Sequence, residues 1–163
     1  MTLLKTLLFT LLEPVPVTVL VPWLLMSTGL RRFSADVGAL RWVGLALGTL
    51  GVLIYAWTAG AFTFVGRGTP APFDAPKELV ATGLHRWVRN PMYIGVLAVV
   101  AGESLWFGSA ALAVYATLLG VGFHLFVVLY EEPTLRRTFG ASYELYCRSV
   151  PRWIPRVRVR HSR

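Results

Sequence analysis

Twenty-five consecutive residues, 42–66, carry no charged side chain, and nothing else narrows the accessible folds so sharply. A helix needs about 20 mostly apolar residues to cross roughly 30 Å of hydrocarbon. A soluble core helix would alternate apolar and polar faces with a 3.6-residue period, whereas this stretch is apolar all round. Two further stretches behave alike. Residues 2–30 hold only Lys5 and Glu13, and residues 92–130 hold one acid, Glu103, and one histidine, His124. The 55% hydrophobic and 15% charged content of the 163 residues agrees with one membrane-embedded domain, 1–163.

The net charge of +8 does not point to nucleic acid, because the basic residues flank the apolar stretches. That is the pattern of the positive-inside rule and of attraction to anionic lipid heads. The single Cys147 excludes an internal disulfide and reads as a packed or idle thiol. With His85, His124 and His161 scattered, no metal-ligand spacing exists.

The expected architecture is an all-α integral membrane protein with about four transmembrane helices. The first span covers about 3–29 and reads as uncleaved, lacking a clear small-x-small cleavage site. Pro14, Pro16 and Pro22 should kink it. The second covers about 42–64, where Gly44 and Gly48 form a small-xxx-small pair suited to close helix packing. A polar, proline-rich connection follows over 66–90. Its G-x-G-x-x-A match at 66–71 lacks the strand and helix that a dinucleotide site requires.

Asn90 is placed to cap a helix that begins at Pro91. The following run of about 40 apolar residues is two spans long at 1.5 Å per residue. Phe107, Gly108 and Ser109 offer the turn, giving a helical hairpin of about 91–107 and 110–131. Beyond Pro133 an amphipathic cytoplasmic helix is expected over about 133–150, with Leu135, Phe139, Tyr143, Tyr146 and Val150 on one face. Trp153 reads as an interfacial anchor. Four spans place both termini on one side, with Lys5, the basic residues of 66–90 and every arginine after 131. Only Arg31, Arg32 and Arg41 fall opposite, so both termini are expected in the cytoplasm, at an inner or plasma membrane.

Three clusters should then meet at one membrane face: the segment from Arg89 to Gly95, the Glu131–Glu132 pair, and the aromatic face of the last helix. A helix N-terminus beside Arg89 favours an anion. Paired carboxylates favour an amine, and tyrosine faces favour an onium group. A ligand with a carboxylate, an amine, a flat ring and a fixed positive centre satisfies all of these, and S-adenosylmethionine is one. Each feature also has a plainer reading: a helix cap, solvated glutamates, interfacial tyrosines. His124, nearly on the face of Glu131 and about two turns deeper, is a functional or a packing histidine. Glu103 reads as structural.

The strings GTPAPFDAPKELVATGLHRWVRNPMYIG and EEPTLRRTFGASYELYCRSVPRWIP resemble the isoprenylcysteine carboxyl methyltransferase family in its short prokaryotic-type branch. Related phospholipid N-methyltransferases share the pattern, and the resemblance covers about 66–155. It implies S-adenosylmethionine as cofactor, with Arg89, Asn90, Pro91, Tyr93 and Gly95 lining the pocket. Glu131 and Glu132 would hold the methionyl end, and Tyr143 and Tyr146 would help to close the site. Asn90 stands where other members carry His, and His85 where many carry Tyr.

The implied activity is methyl transfer to a lipophilic acceptor that enters from the bilayer. Catalysis would be largely positioning. A carboxylate acceptor needs no base; an amine or phenol would, and Glu131, Glu132 or His124 could supply it. The alternatives are an NADPH-dependent membrane sterol-type reductase and a non-enzymatic scaffold or lipid-binding module. Neither the acceptor nor the oligomeric state is legible in the sequence.

Overall fold

The computed structural model describes residues 14–30, 34–64, 79 and 81–155. They are largely helical: α1 (Pro16–Ser27), α2 (Leu40–Phe64), α3 (Pro91–Trp106), α4 (Ala110–Phe139) and α5 (Ala141–Ser149), with a 3-10 turn at Gly83–Arg86. No strand occurs among the described residues beyond an isolated bridge between Ser34 and Ser109. Two helices are long and apolar enough to cross a membrane, Leu40–Ala61 within α2 and Ala110–Phe139. Only 22% and 11% of the residues in their most apolar windows are buried. Such helices cannot be the core of a soluble protein, since Leu53, Trp57, Leu118 and Leu129 all face outward. α1 and α3 are apolar but shorter, about 18 and 24 Å at 1.5 Å per residue. Residues 1–13 of the expected first span, and most of the 66–90 connection, lie outside the described residues.

The tightest contact in the molecule is between α2 and α3, and glycines make it possible. A Cβ on Gly44 would stand 2.6 Å from the carbonyl oxygen of Gly102, and one on Gly102 would stand 2.6 Å from the backbone nitrogen of Gly48. One on Gly95 would stand 2.8 Å from the carbonyl oxygen of Gly51. Gly44, Gly51, Gly95 and Gly102 thus bring two backbones into contact where any side chain would hold them apart, and Gly48 lends its backbone to the same contact. The Gly44–Gly48 pair is half of this device, and Gly51 with α3 supplies the rest.

The hairpin turn falls at Phe107–Ser109. Gly108 adopts φ +58°, a conformation that L side chains rarely take. Ser109 caps α4, its Oγ accepting from the Leu112 amide at 3.4 Å. The Ala35 amide donates to the Gly108 carbonyl at 2.9 Å, tying the connection between α1 and α2 to this turn.

Prolines are absorbed rather than obeyed. Pro22 follows a π turn at Pro16–Leu20, and Pro133 follows another at Val127–Glu131. In each, the residue before proline bonds five residues back, Val21 to Pro16 and Glu132 to Val127. The widened turn accommodates the missing donor and the ring. Consequently α4 does not end near 131 with a new helix at Pro133, as the sequence suggested. It continues to Phe139 and breaks at Gly140, φ +53°. The expected helix 133–150 is therefore two pieces on either side of a sharp corner. Its apolar residues still gather, with Tyr143, Tyr146 and Val150 buried against Leu135, Phe139, Leu79 and Ala81.

Candidate functional site

The N-terminus of α3, the π turn of α4 and the segment after α5 meet around two adjacent glutamates with opposite surroundings. A π turn shifts successive side chains around the helix, and here Glu131 and Glu132 diverge. Glu132 is 3% exposed. Arg152 grips it with a two-pronged bond, Nε to Oε1 at 2.6 Å and Nη2 to Oε2 at 3.0 Å. Arg89 Nη1 lies 3.0 Å from Oε1, and Arg136 Nη2 lies 3.8 Å from Oε2. One carboxylate thus gathers three guanidinium groups, of which Arg136 is held more closely by Glu144, its Nε 2.9 Å from Oε1. The buried Arg89 Nε finds no partner, so this cluster retains a donor for an added anion.

Glu131 instead accepts a hydrogen bond from Tyr93 Oη at 2.9 Å. The Tyr93 ring packs on Phe123, centroids 4.7 Å apart, and on Trp153 at 6.4 Å. Tyr93 also lines an apolar cavity of about 450 Å³ enclosed by Val17, Tyr55, Met92, Val96, Phe123 and Phe126, among others. A carboxylate–phenol pair therefore stands where a charged cluster meets a greasy pocket.

The segment after α5 closes one side of the site. The Arg89 amide donates to the Pro151 carbonyl at 2.9 Å, and Asn90 Nδ2 donates to the Arg152 carbonyl at 3.2 Å. Asn90 occupies the N-cap position of α3, but its side chain makes no capping bond. The capping role read from the sequence is replaced by a tertiary one. Cys147 accepts from Arg89 Nη1 at 2.8 Å, so its thiol is engaged rather than idle.

Tyr146 donates to the His85 carbonyl at 2.7 Å. Burial pushes the phenols of Tyr143 and Tyr146 well above their ordinary range, so both stay neutral and serve as packing and hydrogen-bonding groups. Burial also depresses His85 to about 4, against the smaller opposing effect of a hydrogen bond to the Thr82 backbone. His85 is thus a neutral, buried side chain under Tyr146.

Gly95 and Pro91, named through the resemblance, and His124, named for its place in an apolar helix, have other contacts in the structure. Gly95 faces Gly51 and serves helix packing, with Pro91 fully buried at the start of the same helix. His124 accepts from Trp153 Nε1 through Nδ1 at 3.1 Å. Its neutral form must then carry its proton on Nε2, so removing a substrate proton through Nδ1 would first require Trp153 to let go. Arg152 and Phe123 escaped the reading of single residues, and Trp153 was seen only as an anchor. The signal for Arg152 and Trp153 was present in the terminal PRWIP string.

Fold and site together define a small helical protein of membrane type, with a mixed-charge site at one end of its helices beside an apolar pocket. A family model described as phospholipid methyltransferase matches residues 39–142, and the chain belongs to that family. A probable protein-S-isoprenylcysteine O-methyltransferase of Oryza sativa subsp. indica is 31% identical over 118 residues, 70% of this chain and 60% of the relative. The corresponding protein of subspecies japonica gives the same figures. The protein-S-isoprenylcysteine O-methyltransferase of Schizosaccharomyces pombe is 32% identical over 79 residues, 48% of this chain and 34% of the relative. The chain thus spans 60% of the length of the two Oryza relatives and 34% of that of the Schizosaccharomyces one. No solved structure matches it.

Proposed function

We propose that this protein is an S-adenosylmethionine-dependent methyltransferase whose acceptor is a lipophilic molecule dissolved in the bilayer. The observation that carries this reading is the Tyr93–Glu131 pair at the wall of the apolar cavity, one residue along from the Arg89–Glu132–Arg152 cluster.

The residues present suit the donor. The Arg89 Nε, without a partner among the described residues, matches a methionyl carboxylate. Glu131 matches the ammonium, and the rings of Tyr93 and Trp153 match a sulfonium. When bound, S-adenosylmethionine supplies an electrophilic methyl group. The chain's own part is to hold donor and acceptor in line and to exclude water. Glu131 is the better placed of the candidate bases. Glu132 is committed to three arginines and His124 to Trp153. All three relatives named above are methyltransferases, which does not favour a reductase.

We read α1 and α3 as the remaining two spans, with both termini and the site in the cytoplasm; labelling of single cysteines introduced at the exposed Asp36 and near residue 160 by an impermeant reagent would check this. The function is tested by incubating purified protein with methyl-labelled S-adenosylmethionine and a total lipid extract. Label should appear in a lipid-soluble product with wild-type protein. Transfer no greater than that of the heat-denatured protein would overturn the assignment.

A further inference from the structure

A second site lies toward the other end of α3. Glu103 is ten residues beyond Tyr93, about 15 Å along the helix. It stands in a groove of about 510 Å³ between α3 and α1, lined by Val19, Pro22, Trp23, Met26, Phe107 and the hydroxyls of Thr18 and Ser27. Among the described residues of the groove, none bonds to Oε2 of this carboxylate. Its Oε2 is buried and makes no hydrogen bond. The Thr18 hydroxyl donates to the Pro14 carbonyl at 2.8 Å, and that of Ser27 to the Leu24 carbonyl at 2.9 Å. Both hydroxyl protons are therefore spent, leaving only lone pairs to face the groove. Among the described residues no basic side chain lines it.

An acid with one oxygen covered and without a donor is costly, and in an apolar setting such a group marks a ligand or ion path by default. The surroundings specify the ligand. A carboxylate, hydroxyl lone pairs and the faces of Trp23 and Phe107 all attract a cation. The remaining walls are hydrocarbon and open between two helices with outward-facing apolar side chains. We propose that this groove binds an amphiphile with an ammonium headgroup, its nitrogen donating to Glu103 and its chain lying along α1. The site is separate from the Tyr93–Glu131 pair and needs no donor cofactor.

The test is equilibrium binding of radiolabelled dodecylammonium to the full chain in neutral maltoside micelles. Wild-type protein should show saturable binding to one class of site, competed by unlabelled dodecylammonium but not by dodecyl sulfate or dodecanol. Glu103→Gln should weaken it at least tenfold, and Glu103→Asp should restore part of the loss. Circular dichroism would confirm that each variant folds. The component of binding that Glu103→Gln removes should persist when saturating S-adenosylhomocysteine fills the methyl-transfer site, which separates the two sites. Non-saturable binding, equal competition by dodecanol, or unchanged affinity in Glu103→Gln would each overturn the proposal.

Discussion

The Tyr93 hydroxyl donates to the Glu131 carboxylate across 2.9 Å, joining residues 38 apart in sequence and the two arms of the helical hairpin. Tyr93→Phe keeps the ring and its packing on Phe123 but removes this bond. A hydrogen bond to a charged group is worth about 1.5–3 kcal/mol. The variant should melt at a lower temperature in detergent and transfer methyl groups at least tenfold more slowly, with helical content unchanged. Undiminished transfer would remove Tyr93 from the site.

Glu132 should matter more for folding than any of its partners. Removing one member of a buried pair costs about 3–5 kcal/mol, because the remaining charges stay buried and uncompensated. Glu132→Gln strands Arg89 and Arg152 together, whereas Arg152→Ala still leaves Arg89 on the carboxylate. Arg136 is half exposed and 3.8 Å away, so Arg136→Ala should cost less than about 1 kcal/mol. Thermal unfolding of the three variants should rank them in that order. Arg152→Ala should also expose the chain after Val150 to limited proteolysis.

The glycine contact gives a sharp contrast within one residue type. Gly102→Val would drive a side chain into the Gly44 carbonyl and the Gly48 amide, and α2 could not stay in place. Gly122 has nothing within 4 Å of where a Cβ would be, so Gly122→Ala should be tolerated. Size-exclusion profiles in detergent should show the first aggregated and the second monodisperse.

His85 makes acid stability predictable. Its folded pKa is depressed by burial to about 4, below the ordinary 6.5 of histidine, so protonation favours the unfolded chain. The contribution is complete above pH 6.5, falls as pH drops toward 4, and is lost below that. At 1.36 kcal/mol per unit the window is worth on the order of 3 kcal/mol. Melting temperature against pH should therefore decline between pH 6.5 and 4 in wild type and more shallowly in His85→Phe. Parallel curves would contradict the assignment.

The features legible in sequence were those written locally. Charge-free runs announced the apolar helices, Gly108 marked the hairpin turn, and the apolar spacing beyond Pro133 found the residues that cluster around Tyr143 and Tyr146. What stayed hidden was decided at a distance. Nothing around Pro133 reveals that an upstream π turn lets the helix run on. Asn90 carries a capping signature, but its amide finds a carbonyl 62 residues away. Gly95 sits inside a motif string, yet its use is fixed by Gly51 on another helix. The two glutamates look equivalent until three arginines from separate segments choose one of them.

The central claim is that α3, the π turn of α4 and the segment after α5 build one donor pocket. Calorimetric titration of the detergent-solubilised protein with S-adenosylhomocysteine tests it most directly. Wild type should bind one equivalent, and Glu131→Gln at least tenfold more weakly. Absence of binding to wild type, or an unchanged affinity in Glu131→Gln, would contradict the account.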